Sequence, residues 1–516
     1  MENLSQEYRE NQTSSTLGGD DLFYSPGEPG YEKWLKTLPA EAQKAAAAKT
    51  PVPARKQQVK SASPSVQPPL VEISDIRMAE YFACEVSNFL RYWTAIKKWL
   101  RYVDGRWTTD APGGAFPALN DVLRGLYRLA AGASTMDRET VMKNLLRLEK
   151  HTTQRDILAA ASNIPRLIVS SGQLDRDPML LNCLNVTINL KTGRPRPHDP
   201  TDLITRQVPI EFYEHAECPL FKKFLARIMG DDQDMIGYLH RFIGYCLTGL
   251  TVEQVLLFFY GLGANGKSVL LKIILALLGD YASTAGADLL MVRDRRGATN
   301  DLASLRGSRC VAVCEFDDGE RLAEATIKTL TGGDRVTCRF LYGEFFEYTP
   351  EFKPLLIGNH KPKIRGRDKG IWRRIHLLPF EVTIPEDERD PHLADKLMQE
   401  LPGILGWAVR GCLEWQRIGL KPPEKVQAAI KEYRHDEDVF QQWIEECCVT
   451  DAGCQATPSS LLESFKEFSG WRNMTSTKFG KTLREAGFEQ HRAYSGRFWL
   501  GIGLIDETRH GDKVPF

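Results

Sequence analysis

The residues with the clearest chemical potential lie in one short loop, GLGANGKS, at residues 261–268. This spacing is that of a phosphate-binding loop; an apolar run precedes it and a second apolar run, KSVLLKIILALLG, follows. Glycines let successive backbone N–H groups face an anion, and the start of a helix favours negative charge. Lys267 would neutralise the β- and γ-phosphates of ATP, and the Ser268 hydroxyl would hold Mg²⁺. The predicted ATP-binding residues are Gly261, Gly263, Ala264, Asn265, Gly266, Lys267 and Ser268.

Further polar groups follow the next strand-like runs. SRCVAVCEFDDGERL (308–322) places Glu315 and Asp317 where a carboxylate would hold Mg²⁺ or polarise a water, although a solvated acidic turn is the alternative. The strand predicted in FKPLLIGNHKP (352–362) ends in Asn359, whose amide would contact that water or the γ-phosphate, unless it is an ordinary turn residue. The predicted metal ligands are Ser268 and Glu315.

Two adjacent arginines complete the set of candidate catalytic groups. Arg373 and Arg374 lie in IWRRIHLLPF (371–380), beside an apolar run. They are either partners of surface ion pairs or groups that reach the γ-phosphate bound to a neighbouring subunit.

The elements that must position these groups are predicted from the periodicity of apolar residues. Between 254 and 385 apolar runs alternate with helical patterns, which predicts an α/β fold with a parallel nucleotide-binding sheet. Upstream, MAEYFACEVSNFLRYW (78–93) has helical spacing, and KKWLRYVDGRWTTD (97–110) predicts strand, turn and strand. Residues 457–504 predict helix, turn, helix and two strands.

Composition narrows the class of protein. Lys+Arg and Asp+Glu both total 67 in 516 residues, so any basic surface must be local. The 11 cysteines show no zinc-type spacing, and their odd number without a signal peptide predicts a reducing, intracellular setting. No apolar run approaches the ~20 residues of a membrane span. Residues 1–70, rich in Pro, Ser and Ala, predict a disordered tether.

The order of these motifs resembles a known family. YGLGANGKS, the strand before Glu315, KTLTGGD (328–334), LLIGNHKP (355–362) and IWRRI (371–375) occur as in the superfamily 3 helicase motor of phage- and plasmid-type primase–helicases, which are related to the poxvirus primase–helicase. The likeness covers about residues 72–505. It departs from the family at 185–190, where NVTINL replaces NGxxDL and puts that turn's role in doubt.

The resemblance implies a fold and a set of roles. The fold is an AAA+-like P-loop NTPase core with a preceding, mostly helical domain and a C-terminal winged helix. Lys267 and Ser268 become the Walker A pair, and Asn359 becomes the sensor. Glu315, with Asp317 as second choice, becomes the Walker B acid. Arg373 or Arg374 becomes a finger that acts on the next subunit of a hexameric ring.

Candidate DNA contacts lie in three segments. The family's DNA-contacting hairpin corresponds to residues 335–353, and KPKIRGRDKGIWRR (361–374) has seven basic residues against one acid, which favours an interface or DNA over solvation. TSTKFGKTLREAG (475–487) fits the second helix of a helix-turn-helix, although a winged helix that binds protein is the alternative. The predicted contacts are Arg339, Tyr342, Lys361, Lys363, Lys478, Lys481, Arg484, Arg492 and Arg497.

These observations predict four regions and one leading function. The regions are the tether (1–70), a helical helicase-associated domain (71–250), the superfamily 3 ATPase (251–425) and a C-terminal helical and winged-helix domain (426–516). The predicted function is that of an ATP- and Mg²⁺-dependent DNA helicase from a phage, prophage or plasmid replication system. It would act as a homo-hexamer in the bacterial cytoplasm or a phage-infected host.

Three further expectations accompany this function. Because only about 70 tether-like residues precede the helicase region, we expect no primase domain of its own, and a separate primase or replication initiator as partner. A nucleotide-switched DNA-binding or loading ATPase that does not unwind DNA is the first alternative. A small-molecule kinase that uses the same loop is the second.

Overall fold

The computed structural model describes residues 74–109, 114–131, 138–292, 300–314, 316–340, 343–364, 368–494 and 496–505. These residues all belong to one unit, 68–516. The predicted tether lies outside the described residues, as do Glu315 and Tyr342. None of the helices in the described ranges is both long enough and apolar enough to cross a membrane.

The region before the phosphate-binding loop combines helices with two small sheets. Its described helices are α1 (Asp75–Val86), α2 (Phe116–Ala131), α3 (Arg138–Leu148), α4 (His151–Ala161), α5 (Pro219–Met229) and α6 (Gln233–Cys246). Its described strands are β1 (Leu90–Trp93), β2 (Lys98–Val103), β3 (Arg106–Thr109), β4 (Ile168–Val169), β5 (Leu180–Asn182), β6 (Thr187–Asn189) and β7 (Arg194–Arg196). The sheets have the spatial orders β3-β2-β1-β4 and β5-β6-β7.

Part of this region differs from the sequence-based expectation. The hairpin predicted over 97–110 is confirmed as β2 and β3. The helix predicted over 78–93 is wrong in its last part, because α1 ends at Val86 and Leu90–Trp93 form β1. Strand β1 pairs antiparallel with β2 and parallel with β4, and these distant partners decide its conformation. The divergent NVTINL segment contributes β6, the central strand of the second sheet.

A five-stranded parallel sheet follows. In chain order, the described elements are β8 (Leu256–Tyr260), α7 (Lys267–Leu278), β9 (Ala282–Ala285), α8 (Asn300–Ser304), β10 (Cys310–Val313), α9 (Glu324–Gly332), β11 (Val336–Cys338), β12 (Phe346–Tyr348), β13 (Lys353–Gly358), α10 (Lys369–Trp372), β14 (Ile375–Pro379), α11 (Leu393–Gln399), α12 (Leu401–Ile418) and α13 (Glu424–Glu437). The spatial order is β14-β8-β13-β10-β9, with every neighbouring pair parallel. The predicted α/β class with a parallel sheet is confirmed.

The sheet is the middle layer of this region, because its strands are apolar on both faces. Leu257 and Phe259 of β8 belong to one core cluster, which also contains residues of α6, α7 and α12. Leu256 and Phe258 belong to the opposite cluster, which contains residues of α9 and α13. Burial on both faces is typical of strands in parallel sheets. Helix α13, which the predicted boundary at 425 assigns almost wholly to the C-terminal domain, thus packs on the sheet.

The C-terminal region has its own aromatic core. Its described elements are α14 (Val439–Cys447), β15 (Cys448–Val449), β16 (Gln455–Ala456), α15 (Pro458–Ser469), α16 (Ser476–Glu485), β17 (Glu489–Ala493), β18 (Gly496–Leu500) and β19 (Gly503–Leu504). Trp443, Phe465, Phe479 and Trp499 are buried together in that core. The predicted succession of helix, turn, helix and two strands is confirmed.

Candidate nucleotide site and nucleic-acid surfaces

The loop between β8 and α7 follows a path that requires glycine. Gly266 caps α7 with a φ of 83°, in the left-handed region, and a Cβ there would lie 2.5 Å from Ile228 Cγ2. At Gly261 a Cβ would lie 2.6 Å from the carbonyl oxygen of Phe380. Neighbouring chain on two sides therefore holds the loop in a compact turn at the N-terminus of α7, where unpaired N–H groups favour an anion.

Lys267 is the most informative side chain at this turn. It is the first residue of α7 and only 5 % exposed. Its Nζ donates to the carbonyl oxygen of Gly261 and, over 3.2 Å, to Oδ1 of Asn359. Both acceptors are neutral, and burial lowers the pKa of the ammonium group. The positive end of a helix dipole also disfavours a cation, and among the described residues the Lys267 ammonium donates only to these two neutral oxygens.

Asn359 meets Lys267 because of the strand order. Strand β13, which ends one residue before Asn359, lies between β8 and β10. Parallel strands bring their carboxyl ends to one edge of the sheet, the usual ligand position in such folds. The structure thus brings together two of the predicted groups, Lys267 and Asn359.

Of the predicted metal-binding groups, Asp317 and the Ser268 hydroxyl lie at the same edge. Asp317 follows the end of β10 and is exposed, and Ser268 is exposed in the first turn of α7. Asp318 lies 3.7 Å from His360, linking the segments after β10 and β13. Within the described ranges no cluster of three or more His, Cys, Asp or Glu side chains could hold a metal. A hydroxyl and a carboxylate are nevertheless the hard oxygen donors that suit Mg²⁺.

Asn265 differs from its predicted neighbours. Its side chain is buried, and Nδ2 donates over 3.3 Å to the carbonyl oxygen of Phe380. The carbonyl oxygen of Ala264 accepts from the N–H of Ile384 over 2.8 Å. These bonds tie the loop to the segment after β14, so the Asn265 amide already has a partner within the protein.

Two clefts flank the loop. One, of about 490 Å³, lies between the ends of β8 and β14 and helix α13. The other, of about 530 Å³, is lined by apolar side chains that include Phe224, Val269, Ile384 and Leu393, and by charged residues that include Arg389. Sequence reasoning missed both, because their walls come from elements far apart in the chain and carry no local motif.

Arg373 and Arg374 lie at the opposite edge of the sheet. They precede β14, and the carbonyl oxygen of Arg374 accepts from the N–H of Leu256, the first residue of β8. The loop begins after the last residue of β8, Tyr260, which pairs with the last residue of β14. At ~3.3 Å per residue the length of the strand puts about 16 Å between the arginines and the loop of the same chain.

The two arginines have different surroundings. Arg374 is 8 % exposed and donates to Thr331 Oγ1 over 3.1 Å and to the carbonyl oxygen of Gly370 over 2.6 Å. Burial, followed by the charge of Arg373, lowers its pKa. Arg373 is exposed and donates to Gln254 Oε1 over 3.0 Å. Of the two, Arg373 has the freer guanidinium in this state.

The predicted DNA contacts within the ATPase region fall into two groups. Strands β11 and β12 form the expected antiparallel hairpin, and the Arg339 guanidinium lies 4.7 Å from the ring of Phe345, which is exposed. Lys363 is also exposed. Lys361, in contrast, lies 3.1 Å from Asp436 of α13 and over the ring of Tyr433. Its charge therefore already has a partner, and its contact with DNA stays a prediction.

The predicted contacts in the C-terminal region are all on its surface. Lys478, Lys481 and Arg484 are exposed on α16, where Lys481 lies 3.7 Å from Glu485 and Arg484 packs over Trp499. Arg492 and Arg497 are exposed on β17 and β18.

Two protein families match separate parts of the chain. Residues 76–230 match the family described as "D5 N terminal like". Residues 259–374, which contain the loop, Asn359 and both arginines, match "Family of unknown function (DUF5906)". The chain therefore contains a D5 N-terminal-like domain followed by a DUF5906 domain.

Individual relatives are viral. The chain is 28 % identical over 340 residues to "Putative helicase L207/L206" of Acanthamoeba polyphaga mimivirus, covering 61 % of this chain and 35 % of the relative. It is 29 % identical over 273 residues to "Putative helicase 022R" of Frog virus 3, covering 49 % and 27 %. It is 26 % identical over 152 residues to "Primase D5" of Fowlpox virus, covering 28 % and 19 %. The chain thus spans about a third or less of these relatives.

A solved structure of similar extent is "The A form apo structure of NrS-1 C terminal region-CTR", with a TM-score of 0.47 and 10 % identity. The aligned region covers 84 % of this chain and 100 % of the NrS-1 chain. The sequence matches show that the chain is a distant homologue of proteins named as viral helicases and of the poxvirus D5 primase. The predicted resemblance is confirmed at that level.

Proposed function

We propose that this chain is the ATP-driven motor of a DNA helicase that works as a homo-hexameric ring. The observation that carries the proposal is Lys267, a buried ammonium at the positive end of α7 that donates only to neutral oxygens among the described residues. A polyphosphate bound at the loop would supply the missing negative charge. The names of the viral relatives support a helicase in particular.

The bound nucleotide can be oriented from the two sides of the loop. Its phosphates would accept hydrogen bonds from the backbone N–H groups of 263–268, and Lys267 would move from Gly261 to the γ-phosphate. The Asn359 amide would then hold the attacking water in line. The apolar cleft of Phe224, Val269, Ile384 and Leu393 suits a nucleobase, because it is continuous with the first turn of α7.

Mg²⁺ would neutralise charge on the β- and γ-phosphates. Ser268 and Glu315 are the residues we propose to hold it, with Asp317 as the second carboxylate. By holding the ion, these residues would fix the position of the phosphate oxygens while negative charge develops on those oxygens.

The position of the arginines supports a ring. About 16 Å of sheet separates Arg373 and Arg374 from the loop of their own chain, beyond the reach of an arginine side chain. Either guanidinium would serve catalysis only at the loop of a neighbouring subunit. Head-to-tail contacts of this kind close into rings when the rotation allows, and we propose six subunits with ATP at each interface.

Nucleic acid would be bound by the β11–β12 hairpin and by the C-terminal region, which we propose to be a winged helix. Exposed basic side chains on both support this assignment. Because the homologues are viral and one is named a primase, we propose a role in replicating a phage, prophage, plasmid or related viral genome together with a primase. The alternative, a loading ATPase, would hydrolyse ATP on DNA without displacing a strand.

The trans-acting arginine provides the test of this function. Arg373→Ala and Arg374→Ala should be prepared separately, with Arg417→Ala, an exposed arginine near the end of α12, as the matched control. One of the first two is expected to bind ATP yet lose hydrolysis ~10³-fold. The control should hydrolyse ATP and displace strands like the wild type.

Mixing variants then separates a ring from a monomer. A subunit that has Lys267 but lacks the catalytic arginine still binds ATP at an intact loop. A neighbouring Lys267→Ala subunit, whose arginines are intact, can supply the missing guanidinium to that loop. Activity should therefore return in part when the two inactive proteins are mixed. If co-assembly is demonstrated by size and neither arginine variant is complemented, the ring mechanism is wrong. DNA-stimulated hydrolysis without strand displacement by the wild type would favour the loading ATPase.

A further inference from the structure

The hairpin formed by β17 and β18 ends in an unusually exposed aromatic residue. The pairing runs from Glu489 opposite Leu500 to Ala493 opposite Gly496, which leaves a two-residue connection. The first residue of that connection, Tyr494, is fully exposed. An aromatic ring in this position contributes nothing to a folded core.

The base of the same hairpin is firmly held. Trp499 of β18 is 1 % exposed and lies in the C-terminal core, against α16. Strand β18 is also paired on its other side with β16. All five residues of β17, at the sheet edge, are exposed. The hairpin therefore combines an anchored base with an aromatic side chain that is exposed to solvent.

Two positively charged residues lie next to the end of the hairpin, one on each strand. Arg492 and Arg497 are cross-strand partners, one residue pair before the connection, and both are exposed. Like charges opposite each other destabilise a β-ladder. Neither guanidinium has a hydrogen bond or ion pair within the described residues. An anionic ligand at the hairpin would remove this repulsion.

Further positive charge lies on the neighbouring helix. Lys478, Lys481 and Arg484 recur every third residue along α16 and are exposed. Helix α16 and the β17–β18 hairpin are adjoining elements that both carry exposed basic side chains. The exposed ring of Tyr494 lies at the end of the hairpin. Basic groups that follow a phosphate backbone, combined with a ring on which a base can stack, are the combination used to bind nucleic acid with unpaired bases.

We propose that Tyr494 stacks on the end of a DNA duplex at a single-strand–duplex junction, while Arg492 and Arg497 contact the phosphates on either side. A base face is open to stacking only where the duplex ends, because neighbouring pairs cover it elsewhere. The hairpin would therefore recognise the fork and oppose re-pairing of the separated bases. This inference rests on the proposed nucleic-acid function and assigns a binding role to a residue outside the motor.

The test uses the full chain and three DNA probes: a fork with 2-aminopurine at the junction, the matching single strand, and a covalently closed circular duplex, which has no end. Tyr494→Ala should weaken binding to the fork about 5- to 150-fold, the effect of losing one base–aromatic stack. It should also abolish quenching of the 2-aminopurine. Tyr494→Phe keeps the ring and should restore both. Binding to the single strand and to the closed duplex should change less than the fork affinity.

The matched control is Tyr213→Ala, which removes a half-exposed tyrosine from the segment between β7 and α5. It should behave as the wild type on all three probes. Unchanged fork affinity and quenching in Tyr494→Ala, or equal losses in Tyr494→Phe, would overturn the inference. If the wild type still shows DNA-stimulated ATP hydrolysis in that case, the proposed motor stands. If the wild type binds none of the probes and DNA does not stimulate hydrolysis, both proposals fail.

Discussion

Two lysines are buried at opposite edges of the same parallel sheet, and their surroundings are reversed. Lys267 lies at the carboxyl edge, at the N-terminus of α7, with two neutral acceptors. Lys353 begins β13 at the amino edge and is 2 % exposed. Its Nζ donates to the carbonyl oxygens of Thr248, Leu250 and Glu351, the last two over 3.3 and 3.4 Å.

The helix ends near these two lysines have opposite polarity. Thr248 and Leu250 follow the C-terminus of α6, where the helix dipole and unpaired carbonyls favour a cation. The ring of Tyr245, 4.7 Å from the ammonium group, adds a cation–π contact. Lys353 therefore completes a structural cap, whereas Lys267 is held where a cation is disfavoured. A buried lysine at the positive end of a helix is a better candidate for ligand binding than one at the negative end.

The largest expected effect concerns Lys267. Lys267→Ala should lower ATP hydrolysis by on the order of 10²–10³-fold, because it removes the donor that we propose to contact the transferred phosphate. The melting temperature should stay the same or rise, because the substitution removes a buried charge that has only neutral acceptors among the described residues. Lys272→Ala, on the exposed side of the same helix and 3.7 Å from Asp395, is the control. Hydrolysis that persists in a folded Lys267→Ala protein would contradict the assignment of the loop.

Replacing Lys353 should lower stability and leave nucleotide binding unchanged, which is the reverse of the effect expected at Lys267. Lys353→Met keeps the length of the side chain but leaves buried carbonyl oxygens without their donor. The free energy of unfolding should fall by about 1–3 kcal/mol, while the affinity for an ATP analogue stays unchanged. Urea unfolding followed by tryptophan fluorescence, with analogue binding on the same samples, measures both. A Lys353→Met protein that is as stable as the wild type but does not bind the ATP analogue would contradict the structural role inferred for Lys353.

The sequence predicted those features that depend on neighbours along the chain. The loop, the parallel α/β sheet, the β2–β3 hairpin and the C-terminal helix order were all expected, because turn residues and apolar periodicity are local signals. Strand β1 was mistaken for helix, since its pairing with β4, more than 70 residues later, is invisible locally. The roles of individual site residues and the domain boundaries stay predictions.

Side-chain environments were the least predictable. Lys361 was expected at a DNA surface, yet it is paired with Asp436, 75 residues further on. Arg373 and Arg374 are adjacent, but only Arg374 is buried, through Thr331 on α9. Spacing identifies which residues could do chemistry. The packing of distant helices decides which of them already have partners.

The smallest expected effect is a dependence of the free energy of unfolding on pH, caused by the titration of Lys353. Burial, the largest influence, lowers the pKa of Lys353 to about 8, with Arg309 lowering it further and Cys246, Cys310 and Glu351 acting to raise it. Above pH 8 the folded chain has released a proton that the unfolded chain, with a pKa of ~10.4, still holds. Stability contributed by this group therefore rises with pH between these two values.

This dependence is best measured as a difference between proteins. The free energy of unfolding of the wild type, minus that of Lys353→Met, should increase by about 1 kcal/mol from pH 7.5 to pH 9. Subtraction removes the titration of those buried groups that do not interact with Lys353, because both proteins share it. The Lys272→Met protein, changed at an exposed lysine, should follow the wild type across the same range. A flat or falling difference would mean that the ammonium group of Lys353 keeps its proton when buried, and that three carbonyl oxygens and the end of α6 suffice to hold it charged.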